Sequence, residues 1–424
     1  MPAFPEPITC HDFPGVKQTC CIAKTDFWHF VPVKAVWAKD VPTREDQRCV
    51  IGPRPPRWPD EWAAEEAVLE QTTEADAQVI VKKGGGAGII RLNRPKAINS
   101  LTLAMVRGLF QALQRFEEDA GVACAVLTGE GDRGLCAGGD VRIIHDLGKA
   151  GDPQVLDFWR EEFPLNYRIA RFSKPYIALM DGIVMGGGVG ISAHGSHRIV
   201  TERTKLAMPE TGIGYFPDVG GSWLLPRAPG ECGTWLGLTG NAVTAADAIY
   251  AGFADYIVPS DRLDGLVQNL SQAADIDSIE TAIMAQAVEA DEGVLSLNRD
   301  IIDATFRFDT VEEIFAALSA RQDAFSRETL EVLQKRSPTS LKLTLKLLRL
   351  GRESASLIEC LEREFAAGTE ILRQHDFYEG VRAALIDKDR NPRWQPARLE
   401  EVREENLAPY FAGHSGNLFP DHRL

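Results

Sequence analysis

Two glycine-rich turns, each following a short apolar strand, constrain this chain more tightly than any other feature. One is Leu135-Cys136-Ala137-Gly138-Gly139-Asp140, and the other is Met185-Gly186-Gly187-Gly188-Val189-Gly190. Residues without a Cβ reach backbone conformations closed to others and let the main chain approach a neighbour or a ligand. Residues 122–127 and 176–180 read as the buried strands ahead of these turns, and residues 141–147 as a helix after the first. Short strands alternating with helices indicate βαβ units.

The same alternation runs through the middle of the chain. Residues 78–82 and 88–92 read as two strands joined by the glycine turn 84–86. Leu103, Val106, Phe110, Leu113 and Phe116 then recur at helical spacing. Residues 198–200 and 256–258 are further strand candidates. After about residue 265 the pattern is helical. Ser337-Pro338 marks a helix start, with serine at the N-cap and proline at the first helical position. Leu341, Leu345 and Leu348 line one face of that helix, and Gly351 is its expected stop. Residues 353–374 read as another amphipathic helix. Residues 1–75 differ. They hold Pro53, Pro55, Pro56 and Pro59, show no sustained period, and read as an irregular or disordered extension. Trp58 and Trp62 are candidates to dock on a neighbour, and residues 61–69 for a short helix. The expected architecture is α/β: an extension at 1–75, a core at 76–265 and a helical region at 266–424.

Composition narrows the function classes. The chain has 424 residues, is 44% hydrophobic and 25% charged, and carries a formal net charge of −15. That balance is ordinary for a soluble protein, and its sign argues against nucleic-acid partners, which need a basic face. The best apolar stretch, 177–191, is broken by Asp181 and by glycines, so no membrane span is expected. Four of eight cysteines lie in the first fifty residues (Cys10, Cys20, Cys21 and Cys49) and the rest are scattered, without metal-ligand spacing. Free thiols in a reducing compartment are the preferred reading. No secretory signal is expected, and Glu6, Asp12 and Asp26 spoil a mitochondrial presequence pattern.

Three segments carry chemistry. The Cys136–Asp140 turn can aim amides at a developing negative charge, or it is a tight strand-to-helix turn capped by Asp140. The triple glycine can do the same, or it serves close helix packing. Together they can point two N–H groups at one carbonyl oxygen, as acyl transfer through an oxyanion requires. The third segment, Met208-Pro209-Glu210 to Pro217-Asp218-Val219-Gly220-Gly221, sets Glu210 and Asp218 in apolar, glycine- and proline-rich surroundings. An acid so placed has a raised pKa and can trade protons, or it caps a turn or helix. His145, His194 and His197 show no pairing with a nucleophile, and Cys136 reads as a small packing residue. No serine elbow or zincin motif is present.

These segments, taken in order with Arg91-Leu92-Asn93-Arg94-Pro95, resemble the crotonase (enoyl-CoA hydratase/isomerase) superfamily over residues 77–265. The resemblance implies a spiral of ββα turns followed by helices. It implies that the amides of Gly139 and Gly187 polarise an acyl-CoA thioester carbonyl, with Gly138 and Gly186 beside them in the substrate site. The hydratases of the superfamily use two glutamates, one just past the triple glycine and one after the loop proline. Here the second is Glu210, but the first position is Gly190, and Asp218 is an added acid. The sequence is therefore similar to a branch that hydrolyses short 3-hydroxyacyl-CoA thioesters, with 3-hydroxyisobutyryl as the expected acyl group. Residues 207–221, Ser337–Lys342, Asp376–Arg382 and Leu385–Asp389 extend that similarity to about residue 402. Glu210 and Asp218 are the expected catalytic pair. Ile213, Tyr215 and Phe216 are expected to wall a small acyl pocket, and Arg94 and Lys96 to meet CoA phosphates. The resemblance implies no metal or separate cofactor, coenzyme A being part of the substrate. An enoyl-CoA hydratase/isomerase and a non-catalytic acyl-CoA-binding protein stand as alternatives. A homo-oligomer is left open, because C-terminal helices in this superfamily cover their own spiral or a neighbour's. The compartment reads as cytoplasm for a bacterial source and mitochondrial matrix for a eukaryotic one.

Overall fold

β1 (Val79–Gly84) and β2 (Ala87–Leu92) form the antiparallel hairpin that the glycine turn predicts. Gly85 sits there at φ 57°, and a Cβ on it would lie 2.1 Å from the Ser271 carbonyl oxygen, so both conformation and space require glycine. The computed structural model describes residues 77–413 and 418–419. The expectations for residues 1–75, the tryptophans and the short helix included, lie outside the described residues.

From β2 the sheet continues in parallel through β3 (Cys124–Gly129), β4 (Tyr176–Met180), β6 (His197–Val200) and β8 (Tyr256–Ile257). Its strand order is β1-β2-β3-β4-β6-β8. A second, two-stranded sheet pairs β5 (Ile183–Met185) with β7 (Lys205–Ala207) in parallel. Asp181-Gly182 turns the chain from β4 into β5, and residues 201–204 turn it from β6 into β7. Cys136 extends the small sheet through a bridge to Val184. Successive turns of chain therefore lay one strand on each sheet, which is the spiral the resemblance implied.

The central strands β3, β4 and β6 are mostly buried on both faces, which is why they read as apolar runs and not as alternating patterns. Cys124, Val126, Ile177, Leu179 and Ile199 pack with Leu266, Leu270, Ile279 and Ile283. Ala125, Leu127, Ala178, Met180 and Val200 face the larger core.

Helix α1 (Leu103–Glu118) begins at Thr102, whose side chain accepts from the Met105 amide, and buries Val106, Phe110, Leu113 and Phe116 of its predicted stripe, with Leu103 partly buried. Helix α2 (Val141–Ala150) follows the first glycine turn. Helix α3 (Asp157–Ala170) was not expected from the sequence. It holds Pro164 and buries Glu161, Glu162 and Asn166 among its apolar residues. The triple glycine begins a single turn, α4 (Gly187–Gly190). In the helical region, α5 (Pro338–Glu353) starts at Ser337 as expected, its side chain accepting from Ser340 N. It does not stop at Gly351. That glycine instead allows a close crossing, since a Cβ there would lie 1.7 Å from the Ser222 carbonyl oxygen. Helix α6 (Leu357–Ile371) packs against α3 and buries Leu361, Glu364 and Phe365. Helix α7 (His375–Val381) follows. The C-terminal helices thus cover this chain's own spiral.

Candidate active site

The first turn is pinned to the small sheet by Cys136 N–H to Ile183 O (3.1 Å) and Met185 N–H to Cys136 O (3.0 Å). On its other side Leu101 N–H donates to Gly138 O and Asp140 N–H to Leu101 O, both at 2.8 Å. Gly139 N–H lies between those bonds. Gly138 holds φ 104° and Gly186 φ 50°, both left-handed, and this conformation turns each chain toward the other. A Cβ on Gly187 would lie 3.1 Å from Gly139 N, and one on Gly138 would lie 3.6 Å from Gly187 N. The two amides are therefore neighbours, and neither has an acceptor among the described residues. An oxygen placed between them would satisfy both donors.

Glu210 opens a short 3-10 turn (Glu210–Ile213) after β7 and is buried. A Cβ on Gly186 would lie 2.7 Å from its Oε1, which sets the carboxyl beside the second amide, and its Oε2 has no partner. Burial first, then the nearby Asp218, pushes its pKa well above the usual carboxylate range. Asp218 is also buried, and burial first, then Glu364, pushes it up to about 8. The Tyr215 hydroxyl favours the Asp218 carboxylate without forming an aligned hydrogen bond. Neither Glu210 nor Asp140, the other expected cap, makes a side-chain capping bond, and the Asp140 carboxylate takes Arg94 instead.

Two further acids complete the site, and sequence reasoning missed both. Glu162, on α3, is buried, and its unpartnered Oε1 lies 2.7 Å from where a Cβ on Gly187 would be. Burial, then Asp218 and Glu210, raises its pKa well above normal. Asn166 lies one turn further along α3, fully buried with neither amide atom bonded. Glu364, on α6, accepts from Gly220 N–H and from the amide and hydroxyl of Ser222. Burial pushes its pKa up to about 7 against those bonds. Asp218 is linked by charge to each of the other three carboxyls, and that repulsion opposes ionising them all together. The available signal was a charge within an apolar helical stripe: Glu364 falls between Leu361 and Phe365, and Glu162 between Trp159 and Phe163.

Gly190 is fully enclosed. A Cβ there would meet Val219 Cβ at 2.6 Å and Asn166 Nδ2 at 3.0 Å, leaving no room for an acid. Of the expected pocket walls, Tyr215 and Phe216 are buried and stacked 4.5 Å apart, and Trp159 stacks on Tyr215 at 5.6 Å. Ile213 is partly buried nearby in the chain. Arg94 is engaged by Ser100 and by Asp140 at 3.1 Å, whereas Lys96 is exposed. Cys136 is buried, with its thiol pushed up to about 12 by burial, as fits a packing residue. Cys124, Cys136, Cys232 and Cys360 are free. His194 is held neutral, burial pulling its pKa down to about 4, with Nε2 against Val219 O at 2.8 Å. A cavity of about 380 Å³ lies at the far end of α2, lined by Lys149, His375, Tyr378 and Arg382. It contains none of the clustered carboxylates, and Arg382 there is already bound by Glu379, Asp387 and Asp389.

Residues 87–411 match the profile of the enoyl-CoA hydratase/isomerase family. The chain belongs to that family. Among curated family relatives, the mitochondrial 3-hydroxyisobutyryl-CoA hydrolase of Gallus gallus is 44% identical over 340 residues, covering 78% of this chain and 88% of that protein. The Homo sapiens protein of the same name is 42% identical, over 81% and 90%. Among solved family structures, a carnitinyl-CoA dehydratase from Mycobacterium thermoresistibile superposes with a TM-score of 0.78 at 44% identity, covering 82% of this chain and all of that one. An enoyl-CoA hydratase from Rhodobacter sphaeroides gives 0.73 at 43%, over 80% and 98%. No helix among the described residues is long and apolar enough to cross a membrane.

Proposed function

We propose that this enzyme hydrolyses 3-hydroxyisobutyryl-CoA to 3-hydroxyisobutyrate and free coenzyme A, a step of valine degradation. The observation that carries this reading is the Glu210 carboxyl beside two adjacent unpaired amides, with no room for an acid at Gly190. Hydration of a double bond by paired acids needs a side chain at that position. Hydrolysis needs one group at the carbonyl carbon and one at the leaving sulfur. The hydrolase names of the curated relatives agree with this reading. The hydratase and dehydratase names of the solved structures do not, and the packing around Gly190 is the reason to set them aside.

In this reading the amides of Gly139 and Gly187 hold the thioester oxygen as it gains negative charge. Glu210 acts at the carbonyl carbon. As a general base it takes a proton from water, the water oxygen bonds the carbon, and the C–S bond breaks. As a nucleophile its oxygen displaces the thiolate directly, and water then cleaves the anhydride. In both routes the departing sulfur takes a proton; in this reading Asp218 gives it or binds the substrate hydroxyl, and its raised pKa supports the donor role. Glu162 is a further partner for that hydroxyl. Lys96 is the remaining candidate for the CoA phosphates, with Arg94 held by Asp140. The reaction so written draws on no metal or separate cofactor, and no nucleic-acid or membrane partner. The mitochondrial label of the vertebrate relatives favours the matrix for a eukaryotic source.

The test is CoA release across short acyl-CoAs, with loss of enoyl absorbance followed in parallel. Release is expected to be fastest from 3-hydroxyisobutyryl-CoA and measurable from 3-hydroxypropionyl-CoA. Hydration of crotonyl-CoA without CoA release from any hydroxyacyl chain would refute the reading. Single-turnover hydrolysis in isotopic water separates the two routes, since only the anhydride route carries label into the Glu210 peptide.

A further inference from the structure

The loop that carries Asp218 has a backbone of an uncommon kind. Val219 stands at φ 51° and Gly220 at φ 81°, two left-handed residues in succession. A β-branched side chain rarely adopts that conformation, and it persists only where surrounding contacts hold it. Two contacts do so. His194 Nε2 meets Val219 O at 2.8 Å. The Glu364 carboxylate takes Gly220 N–H at 2.8 Å on one oxygen, and Ser222 N–H at 2.9 Å and Ser222 Oγ–H at 2.5 Å on the other. Glu364 belongs to α6, far along the chain in the helical region, and its side chain is fully buried. A buried carboxylate is costly unless its lone pairs find donors, and this one accepts from three, all on Gly220 and Ser222, just past Asp218 in the chain.

We propose that Glu364 is a positioning residue for the reaction: it clamps residues 218–222 from the C-terminal helices and so fixes the place of Asp218. This deepens the thioester-hydrolysis reading and rests on it. Direct contact with substrate is not part of the proposal, because both Glu364 oxygens are already engaged. Its influence on Asp218 runs through the clamp and through charge. Glu364 is the largest electrostatic contribution to the raised pKa of Asp218, after burial. The other ionisable groups around the loop are Glu162 on α3, Glu210 and Tyr215 on the loop itself, and neutral His194. Arg363 and Cys360, on α6 with Glu364, act on it from its own helix.

The experiment compares Glu364→Gln, Glu364→Asp and Ser222→Ala in the full chain. Glutamine keeps the volume but removes the charge and turns an N–H₂ toward one of the donors. Expected for Glu364→Gln is a kcat lower by about 10- to 100-fold with KM little changed, the size of effect that misplacing a reacting group has. In protein labelled with ¹³C at the aspartate side-chain carboxyl, the Asp218 signal, assigned by its loss in Asp218→Asn, is expected to titrate about one pH unit lower than in wild type. Glu364→Asp keeps the charge but draws it back by one methylene, so kcat is expected to stay low while the Asp218 midpoint stays near the wild-type value. A folded Glu364→Gln protein with unmoved Asp218 titration, or with kcat within about twofold of wild type, overturns the proposal. So does full recovery of kcat by Glu364→Asp, which would leave the clamp geometry without a role. If Glu364→Gln does not fold, Ser222→Ala decides: a several-fold loss of kcat at constant KM is expected, and wild-type kcat overturns the clamp. The carbon titration needs no substrate, so a protein that releases no CoA refutes the hydrolysis reading while Glu364's hold on Asp218 is still tested.

Discussion

The amides of Gly139 and Gly187 come from two turns stitched together by backbone hydrogen bonds through β5, whereas the carboxyls beside them are side chains from α3, the Glu210–Asp218 loop and α6. One half of the site is main chain, set by local glycines. The other half is assembled from segments far apart in sequence. The backbone half is held by main-chain hydrogen bonds and offers no titratable side chain at the two amides. The side-chain half holds protons at raised pKa, so it responds to pH and to any change of charge.

Substitutions in each half test that division. The largest effect is expected from Glu210→Gln, which removes the acid at the carbonyl carbon. Turnover should fall by about 10³-fold or more while CoA-ester binding, read by calorimetry, is retained. Wild-type-like turnover would remove Glu210 from the chemistry. Next comes Gly187→Ala in the backbone half. Its methyl would lie 2.7 Å from Glu162 Oε1 and 3.1 Å from Gly139 N, crowding the oxygen site. A kcat loss of about 10²- to 10³-fold is expected, larger than any change in the pH profile. A pH shift that accounted for the kcat loss in that variant would show that the two halves are not separable.

The third prediction concerns stability. Asp218 has an ordinary value of 3.8 and is raised to about 8 in the fold, and Glu364 goes from 4.5 to about 7. The folded state binds these protons more tightly than the unfolded chain. The stability they confer is therefore complete below pH 4 and declines as pH rises toward 7 and 8. Asp218→Asn removes one of these titrations. Thermal unfolding of that variant should depend less steeply on pH between 4 and 8, and the variant should gain most over wild type at pH 8. Parallel curves for the two proteins would contradict the raised pKa. The smallest effect is expected from Lys96→Ala. KM should rise a few-fold at low salt, converge with wild type at high salt, and leave kcat alone.

The contrast between the halves also explains what the sequence disclosed. Gly138 and Gly186 announced their turns because a left-handed backbone selects glycine, and Gly187, Gly188 and Gly190 because a Cβ there would collide with a neighbour. Ser337-Pro338 was legible for the same reason, and Glu210 and Asp218 share one short loop. Glu162 and Glu364 were not legible as site residues. Each sits in a helix where a carboxylate ordinarily marks the solvent face, and only the completed packing reveals that this face is inward. Helix α3 escaped notice altogether, because Pro164 and the buried Glu161, Glu162 and Asn166 interrupt its apolar period. Gly351 misled in the opposite sense: a glycine near a helix end looked like a stop but serves a crossing with Ser222.

The walls around Gly190 make the absence of a side chain there hard to reverse by one substitution. Losing an acid at that position is a simple deletion of side chain, open to a single substitution. Restoring one is not, because the first atom added collides with Val219 and Asn166. A permissive change must come first. Val219→Gly is the natural one, since glycine accepts the left-handed conformation that valine holds there under strain. The space occupied by two neighbours, and not only the missing side chain, keeps an acid out of this position.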